Sequence, residues 1–225
     1  MPERVLEVCR LGLIDYETAL KIQKDAETAI IAGERRDTLF LLEHPHTYTL
    51  GRRAKEEGIL ASAKLLEAIG ATVFETNRGG KVTYHGLGQL VGYPIINLSL
   101  FKEDVHLYVR NLEEVLIRTM AGFDIEAFRI KDLTGVHTRE GKVAAIGVHL
   151  KRWVTTHGFA LNVNTDLNYF DHIIACEGEP VTSMERLLDK DLTLTKVENV
   201  IVQKFAKVFE FTQVVELPKT ISMEV

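Results

Sequence analysis

The chain has 225 residues, 46% of them hydrophobic and 26% charged, which is enough apolar side chain for a sizeable core. A formal net charge of −5 and a sequence pI of about 5.9 argue against a nucleic-acid coat, which would want a basic balance or a concentrated basic stripe. Cys9 and Cys176 match no zinc-type spacing, and the N-terminus is charged with no long apolar run. Together these read as a reducing, cytoplasmic setting with neither disulfide framework, signal peptide nor membrane span.

In chain order, Val5 to Leu11 reads as a short strand, after which Asp15 offers an N-cap to a helix. That helix repeats Tyr16, Ala19, Ile22, Ala26 and Ile30 at helical spacing and stops at Gly33. Thr38 to Leu42 is apolar enough for a buried strand, and Tyr48-Thr49-Leu50 resumes extended character after the turn-prone His44-Pro45-His46. Ile59 to Ile69 has helical periodicity with Gly70 as its C-terminal cap, and Thr72 to Glu75 reads as a strand. Val91 to Leu98 carries Tyr93-Pro94-Ile95-Ile96, a composition that predicts an edge strand.

A second amphipathic helix is expected from Asp104 to Met120, with Val105, Tyr108, Leu112, Val115 and Leu116 inward. Gly135-Val136-His137, a turn at Arg139-Glu140-Gly141, Lys142 to Trp153 and Gly158 to Val163 read as antiparallel strands. Ser183 caps a brief helix from Met184 to Leu187, and Thr195 to Phe209 forms the last long one. With no repeat, linker or low-complexity tract, the expectation is an α/β chain of the α+β kind. Mixed, mainly antiparallel sheets carry packed helices in a single domain over residues 1–225.

The stretch NRGGKVTYHGLGQLVGYP, from Asn77 to Pro94, sets Tyr84-His85 between the pairs Gly79-Gly80 and Gly86/Gly88. Glycines cost backbone entropy, so their clustering predicts a main chain lying flat against something. GLGQLVG is not a dinucleotide fingerprint, because the spacing is one residue too long and a strand follows it; no GxxxxGK[ST] occurs either. His44, His46, His85, His137, His149 and His157 lack an HExxH pair or a carboxylate at fixed spacing, so they read as hydrogen-bonded or acid/base groups rather than metal ligands. Cys9 sits in an apolar alternation and suits the core. Cys176 sits in the polar, turn-rich Ala175-Cys176-Glu177-Gly178-Glu179-Pro180, where an inert core thiol is less expected. To act as a nucleophile it needs a neighbouring cation or base, for which Lys142, His85, His149 and His157 are the candidates.

The segment from Arg78 to Gln89, continued by Tyr93-Pro94, resembles the signature of the lipoyl(octanoyl) transferases, also called lipoate-protein ligase B. Tyr48-Thr49-Leu50-Gly51-Arg52, Gly141 to Gly147, His157 to Val163 and Thr182-Ser183 agree with it in order, over about Tyr16 to Leu188. The resemblance implies a biotin/lipoate protein ligase-like fold and no cofactor. It implies transfer of an octanoyl group from acyl carrier protein to a lysine of lipoyl domains, those of 2-oxoacid dehydrogenase complexes and the glycine cleavage H protein. Carried onto this chain, Cys176 is the acyl-accepting nucleophile and Lys142 its activating partner. Arg78, Gly79, Gly80, Lys81, Val82, Thr83, Tyr84, His85, Ala145, Ile146, Gly147, Gly158, Phe159 and Ala160 then line the acyl site, with Arg52, His149 and His157 as auxiliary candidates.

In one departure, Ala175 and Glu177 stand where the family commonly has proline and glycine, and a carboxylate facing the thiol would raise its pKa. Arg52-Arg53, Lys55, Lys81 and Lys151-Arg152 are the cations available to dock acidic partners. The rival readings are an ATP-dependent lipoate or biotin ligase, a non-catalytic acyl-binding module and a cysteine hydrolase.

Overall fold

A computed structural model describes residues 3–174 and 179–218, the side chain of Glu56 excepted. Cys176 therefore lies outside the described residues. Strand β1 (Val5–Leu13) leads to helix α1 (Tyr16–Ala32), which begins where the Asp15 side chain accepts the Thr18 N–H. It ends at Gly33, whose φ of 75° places it in the left-handed region that glycine enters without steric cost. Then follow β2 (Thr38–Glu43), β3 (Thr47–Leu50), a short α2 (Ala63–Ala68), β4 (Thr72–Glu75), β5 (Val82–His85) and β6 (Gln89–Ile95). The second half holds α3 (Val105–Ala121), β7 (Val136–Thr138), β8 (Gly141–Lys151), β9 (Val154–Asn162), α4 (Met184–Leu188), α5 (Leu194–Val208) and β10 (Gln213–Leu217).

Seven strands form one sheet in the order β10-β1-β2-β6-β9-β8-β7, and β4-β3-β5 form a second. The large sheet is covered on both faces, so β2 is buried along its length and its alternation assigns partners. Leu39 and Leu41 pack with α3 and α5 residues such as Leu112, Val115, Ile201 and Phe205, while Phe40 and Leu42 pack with Ala19, Ile22 and Ala26 of α1. Both sheets are mixed: β1 runs parallel to β2 and β10, and β3 parallel to β4.

Four local expectations change in the tertiary structure. The helix expected over Ile59 to Ile69 shrinks to Ala63–Ala68, capped by Ser62, because Ile59 bridges to Ile173 and leaves the helical path. The expected edge strand is central, since β6 pairs with β2 along its length and with β9 up to Gly92. Pro94 is tolerated there because the ladder to β9 lapses after Gly92 and resumes only at the Asn97–Val154 bridge, so no donor is missed. Val105 is 39% exposed rather than part of the inward stripe, since it is the first residue of α3. The strand beginning at Gly158 starts at Val154, because β8 turns back at Arg152 and Trp153, both at positive φ. Those two residues do not carry the Asn-Gly chemistry that announces such a turn.

Candidate functional site

A cleft of about 550 Å³ opens where β7 stops short. That three-residue strand pairs with β8 only as far as Ala144, so among the described residues no strand flanks the edge of β8 from Ala145 to Val148. The Arg78–Gly80 loop comes over that edge, Gly79 donating its N–H to Val148 O at 2.9 Å. Gly51, Arg52 and Arg53 clasp the loop from behind through main-chain bonds to Lys81, Arg78 and Gly80. The opposite wall is α3, with Val109, Arg110 and Glu113, and the loop Asp132–Thr134.

Arg78 is buried and spends its guanidinium on the protein. Nη2 donates to Thr49 O at 2.6 Å and Oγ1 at 2.9 Å, Nε to Thr49 Oγ1 at 3.2 Å, and Nη1 to Gly79 O at 3.0 Å. Its charge acts on the aromatic floor of the cleft. Burial first, and then the Arg78 charge, lower the pKa of His157 to about 3. His85 is held well below its ordinary value by burial, then by His44 and by Arg78. Burial raises the Tyr16 phenol to about 12 and holds Tyr93 well above its ordinary value. The floor is thus neutral at physiological pH.

The hydrogen bonds agree with neutral imidazoles. His85 Nδ1 is 2.8 Å from Gln89 Oε1, while Gln89 Nε2 donates to Tyr84 O and to Asn162 Oδ1, both at 3.0 Å. That fixes the Gln89 amide and makes His85 Nδ1 the donor. Asn162 Nδ2 donates to Thr182 O at 3.0 Å, which carries the network to the chain beyond position 178.

Lys142, at the start of β8, is 7% exposed and lines the cleft together with Glu179. Its N–H donates to Pro180 O at 2.8 Å, and its carbonyl accepts from Thr182 N at 3.0 Å in a parallel bridge to Val181. The residues that follow Cys176 in sequence therefore lie on Lys142. A smaller cavity of about 20 Å³ under this bridge is lined by Lys142, Gln89, Asn162, Glu179 and Val181.

The candidates do not all gather in this place. Arg78, Gly79, Gly80, Lys81, Val82, Thr83, His85, Ala145, Ile146, Gly147, Gly158, Phe159, Ala160, Arg52 and His157 border the cleft. Tyr84 does not. It packs in the cluster of Tyr48 and Ile173, where its hydroxyl meets His46 Nδ1 at 2.7 Å and its ring stacks on Tyr169 at 5.1 Å. His149 is also absent from the lining, its Nδ1 lying 3.4 Å from Thr156 Oγ1. Of the four glycines flanking Tyr84-His85, two answer to the protein's own packing. A Cβ on Gly86 would strike the Tyr84 ring and one on Gly88 the main chain of Asn164. Gly79 alone of the four has ordinary clearance on the cleft side. Residues that border the cleft without having been assigned to it from the sequence include Tyr16, Tyr93, Glu113 and Glu179. Among the described residues, no three His, Cys, Asp or Glu side chains converge as a metal site, and no helix is long and apolar enough to cross a membrane.

A mixed seven-stranded sheet flanked by α1 on one face and by α3 and α5 on the other, with a cleft at its open edge, is the architecture of the lipoate and biotin protein ligases. The bi-partite lipoate protein ligase of an archaeal lipoylation system from Thermoplasma acidophilum superposes with a TM-score of 0.71 at 17% identity, over 99% of this chain and 90% of that one. The biotin protein ligase of Aquifex aeolicus, in complex with biotin and ATP, superposes at 0.55 and 13% identity over 92% and 70%. At such identities the likeness establishes the fold. The chain belongs to the lipoyl protein ligase A/B catalytic domain family, whose profile matches residues 15–206. Within it, an octanoyltransferase of Solibacter usitatus is 52% identical over 203 residues, covering 90% of this chain and 92% of that relative.

Proposed function

We propose that residues 1–225 act as one octanoyltransferase domain that takes an octanoyl group from acyl carrier protein and delivers it to a specific lysine of lipoyl domains, through a thioester on Cys176. The acyltransferase class rests on the family and on relatives that carry the octanoyltransferase name. The Cys176 intermediate rests on one observation: Lys142 is buried at the cleft, and Glu179, Pro180 and Val181, which follow Cys176 closely in sequence, lie against it. Cys176 is three residues from Glu179 in sequence, and it is this nearness along the chain that supports pairing it with that amine.

In the first half-reaction the Cys176 thiol gives its proton to the Lys142 amine, and the thiolate attacks the carrier thioester. The new S–C bond forms, the carrier C–S bond breaks, and the carrier leaves as a thiol with the proton returned by the Lys142 ammonium. The exchange is nearly isoenergetic because one thioester replaces another. In the second half the acceptor lysine attacks the octanoyl carbonyl, Lys142 takes the proton that the amine sheds, and Cys176 is released as a thiol. Thioester to amide runs downhill, so the cycle needs no nucleotide and no cofactor. Main-chain N–H groups around the cleft offer donors to the tetrahedral oxyanion. The apolar lining from Val82, Ile146 and Phe159 suits the acyl chain.

The acceptors are the lipoyl domains of 2-oxoacid dehydrogenase complexes and the glycine cleavage H protein, and the setting is the cytoplasm. Arg52, Arg53 and Lys81 border the cleft and suit the docking of acidic partners, whereas Lys151 and Arg152 sit at the β8–β9 turn, away from it. Intact-mass measurement after incubation with octanoyl carrier protein, without ATP, tests the reading. The expected result is a hydroxylamine-sensitive octanoyl adduct on the native protein, no such adduct on Cys176→Ser and slowed formation on Lys142→Ala. An absolute requirement for ATP, or full acyl transfer by Cys176→Ser, would overturn it.

A further inference from the structure

Glu113 is a carboxylate with no solvent exposure, on the α3 face that walls the cleft, and the acyl-transfer steps make no use of it. Its two oxygens are divided. Oε2 takes Arg110 Nη1 at 2.8 Å and Arg129 Nε at 3.1 Å, which matches its charge. Oε1 accepts the main-chain N–H of Gly135 at 3.1 Å. Gly135 is the residue against which the end of the Lys142 side chain rests. A Cβ built there would fall 2.7 Å from Lys142 Cε and 3.3 Å from its Nζ, and 2.5 Å from Ala144 O, at a φ of 124° that only glycine adopts readily.

From this contact we infer that Glu113 is a positioning residue for the transfer reaction: by anchoring Gly135, it fixes the wall that holds the Lys142 amine toward the chain following Cys176. The inference rests on the reading of Lys142 as the activating amine. A buried carboxylate neutralised by two arginines is rigid, and the hydrogen bond from Gly135 inherits that rigidity. A lysine has four rotatable side-chain bonds, so an amine that must receive and return a proton gains from a wall that removes its alternative rotamers. The wall is main chain, because any side chain at position 135 would occupy the space of Cε.

The test compares Glu113→Ala, Glu113→Gln, Gly135→Ala and Lys142→Ala, with Lys24→Ala, an exposed substitution on α1, as the control. Folding is checked by thermal denaturation, and octanoyl transfer is followed as kcat and KM across pH 6 to 9. Glu113→Ala and Gly135→Ala are expected to lose at least tenfold in kcat with donor KM changed less than twofold. The limb of kcat that rises with pH should move by half a pH unit or more, as the amine leaves its fixed surroundings. Glu113→Gln has one oxygen where Glu113 uses two, so its amide nitrogen meets either the arginines or the Gly135 N–H, and its kcat is expected between the native value and that of Glu113→Ala.

Native kcat and an unshifted profile in folded Glu113→Ala and Gly135→Ala would overturn the inference, as would Glu113→Gln being slower than Glu113→Ala. Should Glu113→Ala not fold, Gly135→Ala decides between the same outcomes. A native rate in Lys142→Ala would instead remove the function assigned to Lys142, which separates that failure from this one.

Discussion

Acidification from pH 8 to pH 5 should destabilise the fold, and the size of the loss follows from the histidines beneath the cleft. His44 is fully buried between Ile14 O at 2.7 Å and the Tyr93 hydroxyl at 2.9 Å, and burial lowers its pKa to about 4. His157 is lowered to about 3 by burial and by Arg78, and His85 shifts in the same direction. Each folded-state value lies below the unfolded one near 6.5, so the unfolded chain binds the extra protons. The stabilisation is complete above about 6.5 and is lost as the pH falls toward the folded values. Integrated to pH 5, His44 and His157 each forfeit about 2 kcal/mol, and His85 adds to the loss.

Asp37 opposes them. Burial raises its pKa to about 6, so between about 6 and its ordinary 3.8 the folded state holds the extra proton, and stability rises as the pH drops. By pH 5 that returns about 1.4 kcal/mol. The net loss of about 3 kcal/mol or more is a large share of the 5–15 kcal/mol typical of a folded domain. Urea denaturation at constant ionic strength between pH 8 and 5 measures it as a falling midpoint with an unchanged slope against urea. In His157→Gln the pH dependence near pH 5 should be shallower by one proton, about 1.4 kcal/mol per pH unit. A midpoint that stays level or rises from pH 7 to 5 would refute the assignment of neutral, buried imidazoles.

Three further outcomes are expected. Asp15→Ala removes the acceptor for the Thr18 N–H and should cost about 1 kcal/mol, with Asp15→Asn close to native, read from the same urea midpoints. Gly88→Ala forces a side chain onto the main chain of Asn164 at a φ of 77° and should cost about 2 kcal/mol or more, visible as a lowered melting temperature; a native Tm contradicts that packing. Paired Arg52→Glu and Arg53→Glu substitutions on the exposed cleft rim should raise the KM for an acidic carrier several-fold at low salt, and salt near 0.5 M should erase the difference. A KM unchanged at low salt removes that rim from carrier docking.

Local chemistry wrote much of the fold into the sequence. Asp15, Gly33, Asp104 and Ser183 stand where the helices α1, α3 and α4 start or stop, because a cap acts over three or four residues and is legible from them. The apolar runs of β2, β8 and β9 were equally legible, and the ordered motifs from Arg78 to Gln89 and from Gly141 to Gly147 pointed to the family that the profile matches. Strand partners were not legible, since pairing is non-local. β10 (Gln-Val-Val-Glu-Leu) buries none of its side chains fully, and nothing local says that it pairs in parallel with β1 more than 200 residues away.

The site divides in the same way. Which residue types bear the chemistry could be read from Lys142, His85 and the glycine motif. Which side chains face the cleft was set by tertiary packing, which turned Tyr84 and His149 away and brought in Tyr16, Tyr93 and Glu179. The placement of Gly135 against the end of the Lys142 side chain, with its N–H held by Glu113 of α3, joins three segments with no shared local signal. Only the packing of α3 across the open edge of β8 brings them together, because main-chain walls are built by tertiary geometry and carry no side chain for a motif to record.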